Sequence, residues 1–389
     1  MNVIRDIPAS GAEAVTVAVS RARDAETAVA EIAGALAPTD PGFVLLFVPN
    51  GLDRAALTRA LAATPPAAAV FGCTTAGQIT PEGYENDALV AMAFRRAHFR
   101  VASTLITPLT PVRIEDVVRQ TEALRAHLPT TPGRRRLALV FADGLSKQED
   151  VLVAALEAGL QDIPVFGGSA GDGLKFTETF VLHGGELHGN AAVLVLIETD
   201  LAFRGIGFDH FQPTPNRMVV TRAVPEERLV LEINGAPAAQ EYARLVGVPT
   251  DALSPLVFAE NPVLVRNGSA YHVRAIQGIA EGGGLTFLSA IDDGLLLTLG
   301  RGKEIVRTLD AGLSVCDETG ARPELILGFD CCLRKLEIEH KGLGGAASER
   351  FKSHKVVGFN TYGEQHLGVH VNQTFVGIAF FGPKEGPTL

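Results

Sequence analysis

One unit is written three times along this chain, and that repetition limits its fold more than any other feature. Gly358-Phe359-Asn360-Thr361-Tyr362-Gly363-Glu364-Gln365 lines up with Gly72-Cys73-Thr74-Thr75-Ala76-Gly77-Gln78-Ile79, and a shorter version reads Phe166-Gly167-Gly168-Ser169-Ala170-Gly171. Each glycine turn is followed by an apolar run of strand character (Asp87 to Phe94, Asn190 to Ile197, Gln373 to Phe381). Each is preceded by another: Val44 to Val48, Leu137 to Ala142, Leu325 to Phe329. The strands are almost wholly apolar, as in sheets covered on both faces by helices.

Helices fit between these strands. Asp24 is placed to cap a helix reaching Leu36, with Ala25, Val29, Ile32 and Leu36 on one face. Asp53 to Ala63 puts Leu57 and Leu61 on one face, and Pro65-Pro66 ends it. Further helices are expected over Ile114–Leu128, Gln148–Gly159 and Pro237–Val246, with Glu339 to Gly345 as a polar loop. Arg134-Arg135-Arg136 reads as a solvated turn. From Asp200 the texture changes: Asn234-Gly235, Asn267-Gly268 and Asp293-Gly294 sit between β-branched runs and mark tight hairpins. The expected fold class is therefore α/β. Repeated strand-helix-strand-strand units form mixed sheets in two related domains, 1–200 and 201–389, the second carrying an antiparallel hairpin-rich insertion over about 200–300.

The 389 residues carry 34 Lys and Arg against 44 Asp and Glu, a net charge of −10. That balance argues against nucleic acid as a partner. No apolar window has the ~20 residues a membrane helix needs, and the N-terminus lacks a signal-peptide pattern. The four cysteines (Cys73, Cys316, Cys331, Cys332) have no CxxC spacing, so a cytoplasmic protein with reduced thiols is expected.

Several constellations bear on chemistry. Gly167-Gly168-Ser169-Ala170-Gly171 matches G-x-S-x-G after a strand, the setting of a hydrolase nucleophile. Its partners would come from Asp292 or Asp293 with His340 or His354. Against this, the equivalent turns carry Thr74-Thr75 and Thr361, and Asp172-Gly173-Leu174-Lys175 is not helical. The other reading makes the glycine turns a pocket wall that presents N–H groups and hydroxyls to a small polar ligand. Cys73 reads as a small buried residue. Tyr362, Glu364, Gln365, His366, His370, Asn372, Gln373 and Thr374 crowd hydrogen-bonding groups into 13 residues. These either satisfy each other or face a ligand. His366 and His370 are four apart, but Gly368 between them disfavours a helical metal pair. His210, between Phe208 and Phe211, is either a packed, satisfied histidine or a candidate for haem iron.

These residues also resemble a known family. Gly72 to Gly77 is similar to the glycine turn of the FIST N-terminal domain. Phe329-Asp330-Cys331-Cys332-Leu333-Arg334, Gly358 to Glu364, and His370-Val371-Asn372-Gln373-Thr374 are similar to motifs of its C-terminal partner. Leu333 stands where the family usually has glycine, and Val371 is inserted between the histidine and the asparagine. The resemblance spans about 30 to 382 and implies a non-enzymatic, ligand-binding sensor of bacterial signal transduction. For a chain without a fused output module it implies haem-based nitric-oxide sensing, with regulation of a partner histidine kinase or a cyclic-di-GMP pathway. His210 and His366 are then the candidate axial ligands. The alternative is a small polar metabolite such as an amino acid, with a serine hydrolase using Ser169 third. The candidate ligand-binding residues are Cys73, Thr74, Thr75, Gly168, Ser169, Arg334, Tyr362, Glu364, His370 and Asn372. A homodimer is one expected assembly.

Overall fold

The computed structural model of the chain describes residues 13–64, 68–267 and 270–382. The expected stop at Pro65-Pro66, the N-terminal leader reading and Gly268 of the Asn267-Gly268 turn lie outside these residues.

Three of the four sheets share one build. The first runs Val15–Ser20, Leu89–Arg95, Pro41–Val48, Ala69–Thr74, Val181–His183, Glu186–His188. The second runs Phe99–Ile106, Ala192–Thr199, Arg135–Ala142, Val165–Ser169, Glu364–His366, Val369–Val371. The third runs Phe203–Phe208, Phe375–Phe380, Leu325–Cys331, Val356–Thr361, Gln78–Thr80, Gly83–Glu85. In each, only the central pair is parallel, in the registers Leu46↔Gly72, Val140↔Gly167 and Gly328↔Gly358. The last two strands of every sheet are a hairpin belonging to another repeat. The second repeat closes the first sheet, the third closes the second, and the first closes the third. The three repeats thus interlock in a ring.

The registers also explain the repeated glycine. A Cβ at Gly72, Gly167 or Gly358 would fall 2.8, 2.9 or 2.7 Å from the carbonyl carbon of Leu46, Val140 or Gly328 on the neighbouring parallel strand, and closer still to its oxygen. Only glycine lets the strands approach that far.

Both faces of each sheet are covered, so the strands are apolar throughout. Asp24 and Asp53 cap Ala25–Leu36 and Arg54–Ala63, accepting from Thr27 N at 2.8 Å and Ala56 N at 2.6 Å. These helices lay Val29, Ile32, Leu57 and Leu61 over Val44 and Leu46 of the first sheet. Ile114–His127 and Glu149–Leu160 cover the second, and Ile305–Leu313 with Gly344–Ser353 cover the third. The inner faces meet in one core, where Phe47, Phe141, Phe329 and Phe359 are fully buried. Their ring centroids stand 6.2 Å apart for Phe47–Phe141, 6.3 Å for Phe141–Phe329 and 4.8 Å for Phe47–Phe359. Each such ring contributes about 1.5–3 kcal/mol of burial.

The fourth sheet is antiparallel. It runs Ala270–Arg274, Val263–Asn267, Leu296–Gly302, Phe211–Val224, Leu229–Ile233, Leu285–Phe287, Ile276–Ile279. Its two end strands follow one another in the chain, so it nearly closes into a barrel. Helix Ala238–Val246 packs on it through Ala239 and Tyr242, whose hydroxyl donates to Asn261 O at 2.7 Å. Asn234 and Gly235 both have positive φ (54° and 77°), as the expected hairpin requires.

One expected loop is mostly helix. Cys332–His340 and Gly344–Ser353 leave only Lys341, Gly342 and Leu343 as a link. Gly342, at φ 67°, supplies the left-handed turn that ends the first helix, and the glycines after it masked the start of the second. Among the described residues no helix is long and apolar enough to cross a membrane.

Candidate ligand site at the meeting of the corners

The three glycine corners close on one another. Ala76 N donates to Asn360 O (3.0 Å) and Asn360 N to Gly77 O (2.8 Å), joining the first and third. Gly171 N donates to Thr74 O (3.0 Å), joining the second to the first. Ser169 N donates to Gly363 O (2.8 Å) and Tyr362 N to Ser169 O (3.3 Å), joining the second and third.

Most of the corner side chains are spent on this closure. Cys73 lies in the aromatic core, where burial pushes its thiol up. Gly168 faces Phe359 and Phe329. Thr74 Oγ1 accepts from Phe180 N at 3.1 Å, and Thr75 Oγ1 donates to Val48 O at 3.1 Å. Tyr362 stacks on Phe176 at 4.5 Å and donates to Asp172. Burial opposes ionisation of Asp172, yet the bonds from Tyr362 and from Thr177 N, Glu178 N and Phe176 N hold its carboxyl at about 2. Burial, with Cys331 adding to it, pushes Glu364 well up, and the hydroxyls of Thr361 and Thr374 contact its two oxygens.

Ser169 is fully buried, and its Oγ accepts from Gln365 Nε2 at 2.9 Å. Of the residues considered for a hydrolase, His354 meets Asp310 at 3.1 Å, Asp293 accepts from Ala223 N at 2.5 Å, Asp292 accepts from Asp293 N at 2.8 Å, and His340 is exposed at the end of the helix Cys332–His340. Among the described residues no hydrogen bond joins Ser169 to a base.

Arg334 and His210 belong to a buried chain beside the third sheet. Arg334 Nε donates to Asp330 Oδ1 (2.8 Å), and Tyr84 OH to the other oxygen. Arg334 Nη1 donates to His210 Nδ1 (3.1 Å), His210 Nε2 donates to Glu337 Oε2 (2.9 Å), and Lys341 Nζ donates to Glu337 Oε1 (2.5 Å). Burial holds His210 below the ordinary imidazole range despite Glu337. Both its ring nitrogens are therefore occupied. His366 packs against Phe166 at 5.8 Å, and Nε2 sits over the Gly207 backbone, where a Cβ would fall 2.6 Å away. With both nitrogens taken, His210 does not fit haem iron, whereas His366 keeps its Nδ1 without a partner. Among the described residues no three His, Cys, Asp or Glu side chains gather to hold a metal.

A different group remains unsatisfied. Asn372 is fully buried, and neither its Nδ2 nor its Oδ1 has a partner. Gln365 Oε1, Gln373 Oε1 and Ser289 Oγ are buried and unpartnered too. Shared neighbours link Gln365, Asn372 and Ser289, while Gln373 reaches the barrel on its own. Gln365 Nε2 approaches His370 Nδ1 (3.4 Å), and His370 Nε2 approaches Leu288 O (3.4 Å), next to Ser289. Gln373 Nε2 donates to Ala259 O at 2.7 Å. Asn372 Nδ2 and the His370 ring both crowd Gly363, leaving no room for a Cβ there. The set spans the corner of the third repeat and the barrel edge. Gln365 and Gln373 stand out in the sequence as part of a polar run, whereas Ser289 is a lone serine with no local signal. Two surface clefts, of about 270 and 210 Å³, lie away from all these residues; Arg135, Arg204 and Asp317 line the larger.

The fold is thus a ring of interlocked α/β repeats with a decorating barrel, and buried amides without partners lie where the two meet. The FIST N domain family matches residues 42–236 and the FIST C domain family residues 238–366, together most of the chain, so the protein belongs to the FIST family. FIST domains are sensor domains associated with signalling. No curated protein matches the chain in sequence.

Proposed function

We propose that this protein is a non-enzymatic sensor that binds a small polar molecule between the third corner and the barrel. The carrying observation is Asn372, buried with both polar atoms unpartnered and with Gln365 Oε1, Gln373 Oε1 and Ser289 Oγ in the same state. Leaving such a group unmade costs about 1–3 kcal/mol each, a cost that a bound ligand relieves. A ligand held here touches a hairpin that closes the second sheet and a segment of the barrel at once. It therefore favours arrangements in which barrel and core are engaged, a population shift that a partner such as a histidine kinase can read.

The test is a thermal-shift screen of small metabolites on the wild type and on Asn372→Ala. A ligand at 100 times its dissociation constant adds about 2.7 kcal/mol, and the variant loses that gain. A screen in which no compound separates the two proteins refutes the proposal. An absorption spectrum tests the haem reading in the same sample: a Soret band that moves on adding nitric oxide would displace the polar-metabolite reading.

A further inference from the structure

We infer that the ligand bears a carboxylate, received at the barrel edge by the guanidinium of Arg274 and the hydroxyl of Ser289. This rests on the polar site assigned above and supplies its charged end. Ile276 pairs with Phe287, and the next bond along runs from Leu288 N to Ala275 O at 2.9 Å. One step further, the same antiparallel register sets Arg274 across from Ser289, on one side of the two segments. Both carry unpaired donors. Arg274 has no hydrogen bond or ion pair among the described residues, and its Nε and Nη1 are buried without a partner. Ser289 is fully buried, and its hydroxyl has no partner either. Arg274 as a whole is only partly buried, which leaves a ligand a way in. Leu288 O, approached by both Arg228 Nη1 (2.6 Å) and His370 Nε2 (3.4 Å), joins this edge to His370 and so to Asn372.

The acids beside Arg274 are committed to another arginine. Arg228, whose carbonyl accepts from Phe287 N at 2.9 Å, pairs with Glu149 (2.7 Å) and Asp150 (2.9 Å). Asp150 also accepts from Ala290 N at 3.0 Å. Burial, with Arg228 adding to it, pulls the Arg274 guanidinium below its ordinary range, and the pull of Asp150 does not offset this. A guanidinium withdrawn from water and left unbonded is costly, whereas a planar carboxylate meets its fork with two parallel charge-assisted bonds. The Ser289 hydroxyl donates to the same group. Two carboxylates already share Arg228, which favours a guest bringing one negative charge, as a carboxylate does, over the double charge of phosphate.

The experiment is titration calorimetry of the full chain with glycolate, L-lactate and N-acetylglycine, in parallel with their amides and with inorganic phosphate. It is run on the wild type, Arg274→Gln, Arg274→Lys and Asn372→Ala. At least one carboxylate is expected to bind, with its amide at least tenfold weaker. Arg274→Gln should abolish that preference, and Arg274→Lys, which keeps the charge but not the fork, should recover part of it. Arg274→Gln is expected to melt no lower than the ligand-free wild type, since it removes an unpaired charge beside Arg228. An amide that binds as tightly as its acid overturns the carboxylate, and its dependence on Asn372 would leave the site standing. A carboxylate that needs Arg274 but binds Asn372→Ala unchanged upholds the inference and overturns the site at Asn372. Phosphate held more tightly than every carboxylate, or no binding by any carboxylate, overturns the inference.

Discussion

Replacing Gly358 by alanine tests the parallel pairing on which the repeats are built. The new Cβ would lie 2.7 Å from the Gly328 carbonyl carbon and 3.0 Å from its nitrogen, both backbone atoms that no rotamer change can move. Restoring ordinary contact requires Leu325–Cys331 and Val356–Thr361 to part locally. That sacrifices about two ladder hydrogen bonds at about 1 kcal/mol each, and overpacking adds about 1–3 kcal/mol. The expected destabilisation is therefore about 3–5 kcal/mol, and it should recur at Gly72→Ala and Gly167→Ala, whose neighbouring carbonyls stand within 0.2 Å of the same distances. Gly34→Ala is the control: it lies within the helix Ala25–Leu36 with open space around its Cβ, so alanine should stabilise by about 0.5–1 kcal/mol. Urea titrations followed by circular dichroism measure all four. A loss under 1 kcal/mol at Gly358, or a spread in which only one of the three sites is sensitive, would refute the shared geometry.

Three further outcomes are expected. Because Glu364 is raised, its contribution to stability is fully present below 4.5 and declines as pH rises through its folded value. Glu364→Gln should flatten that decline and equal or exceed the wild type at pH 8, as read from melting temperatures across pH. Asp172 is depressed to about 2, so its contribution is present above 3.8 and lost as pH falls through about 2. Asp172→Asn should cost about 1–2 kcal/mol at pH 7, allowing for solvent screening, and well under 1 kcal/mol at pH 2. A fragment of residues 13–236 lacks the hairpin Glu364–Val371 that completes the second sheet and the strands that receive its own hairpin Gln78–Glu85. It should show no sharp thermal transition by circular dichroism.

The repeat was legible because its cause is local: two backbones cannot approach at Gly72, Gly167 and Gly358 with any side chain between them. The helix starts at Asp24 and Asp53 and the Asn234-Gly235 hairpin were legible for the same reason, since each rests on residues within a few positions. The exchange of hairpins was not. Gln78–Glu85 looks alike whether it pairs with its own sheet or another, and the choice is made by contacts some 280 residues away, such as Gly358↔Ile79. The site followed the same division. The polar run from Tyr362 to Thr374 announced itself, but which members are spent and which are left over depends on Ala259, Leu288 and Ser289 of the barrel. His210 shows the converse. Its aromatic neighbours are visible in sequence, while Arg334 and Glu337, which occupy its two nitrogens, come from a distant helix.

Hydrogen exchange at the corner amides bears most directly on the claim that the three repeats lock together and hold the unpaired groups of the third in place. Ala76, Gly171, Ser169 and Tyr362 donate across repeats, so these amides should exchange as slowly as those of the core strands, released only by global unfolding. Exchange of any one of them within minutes, while the strands stay protected, would contradict the ring and the site built upon it.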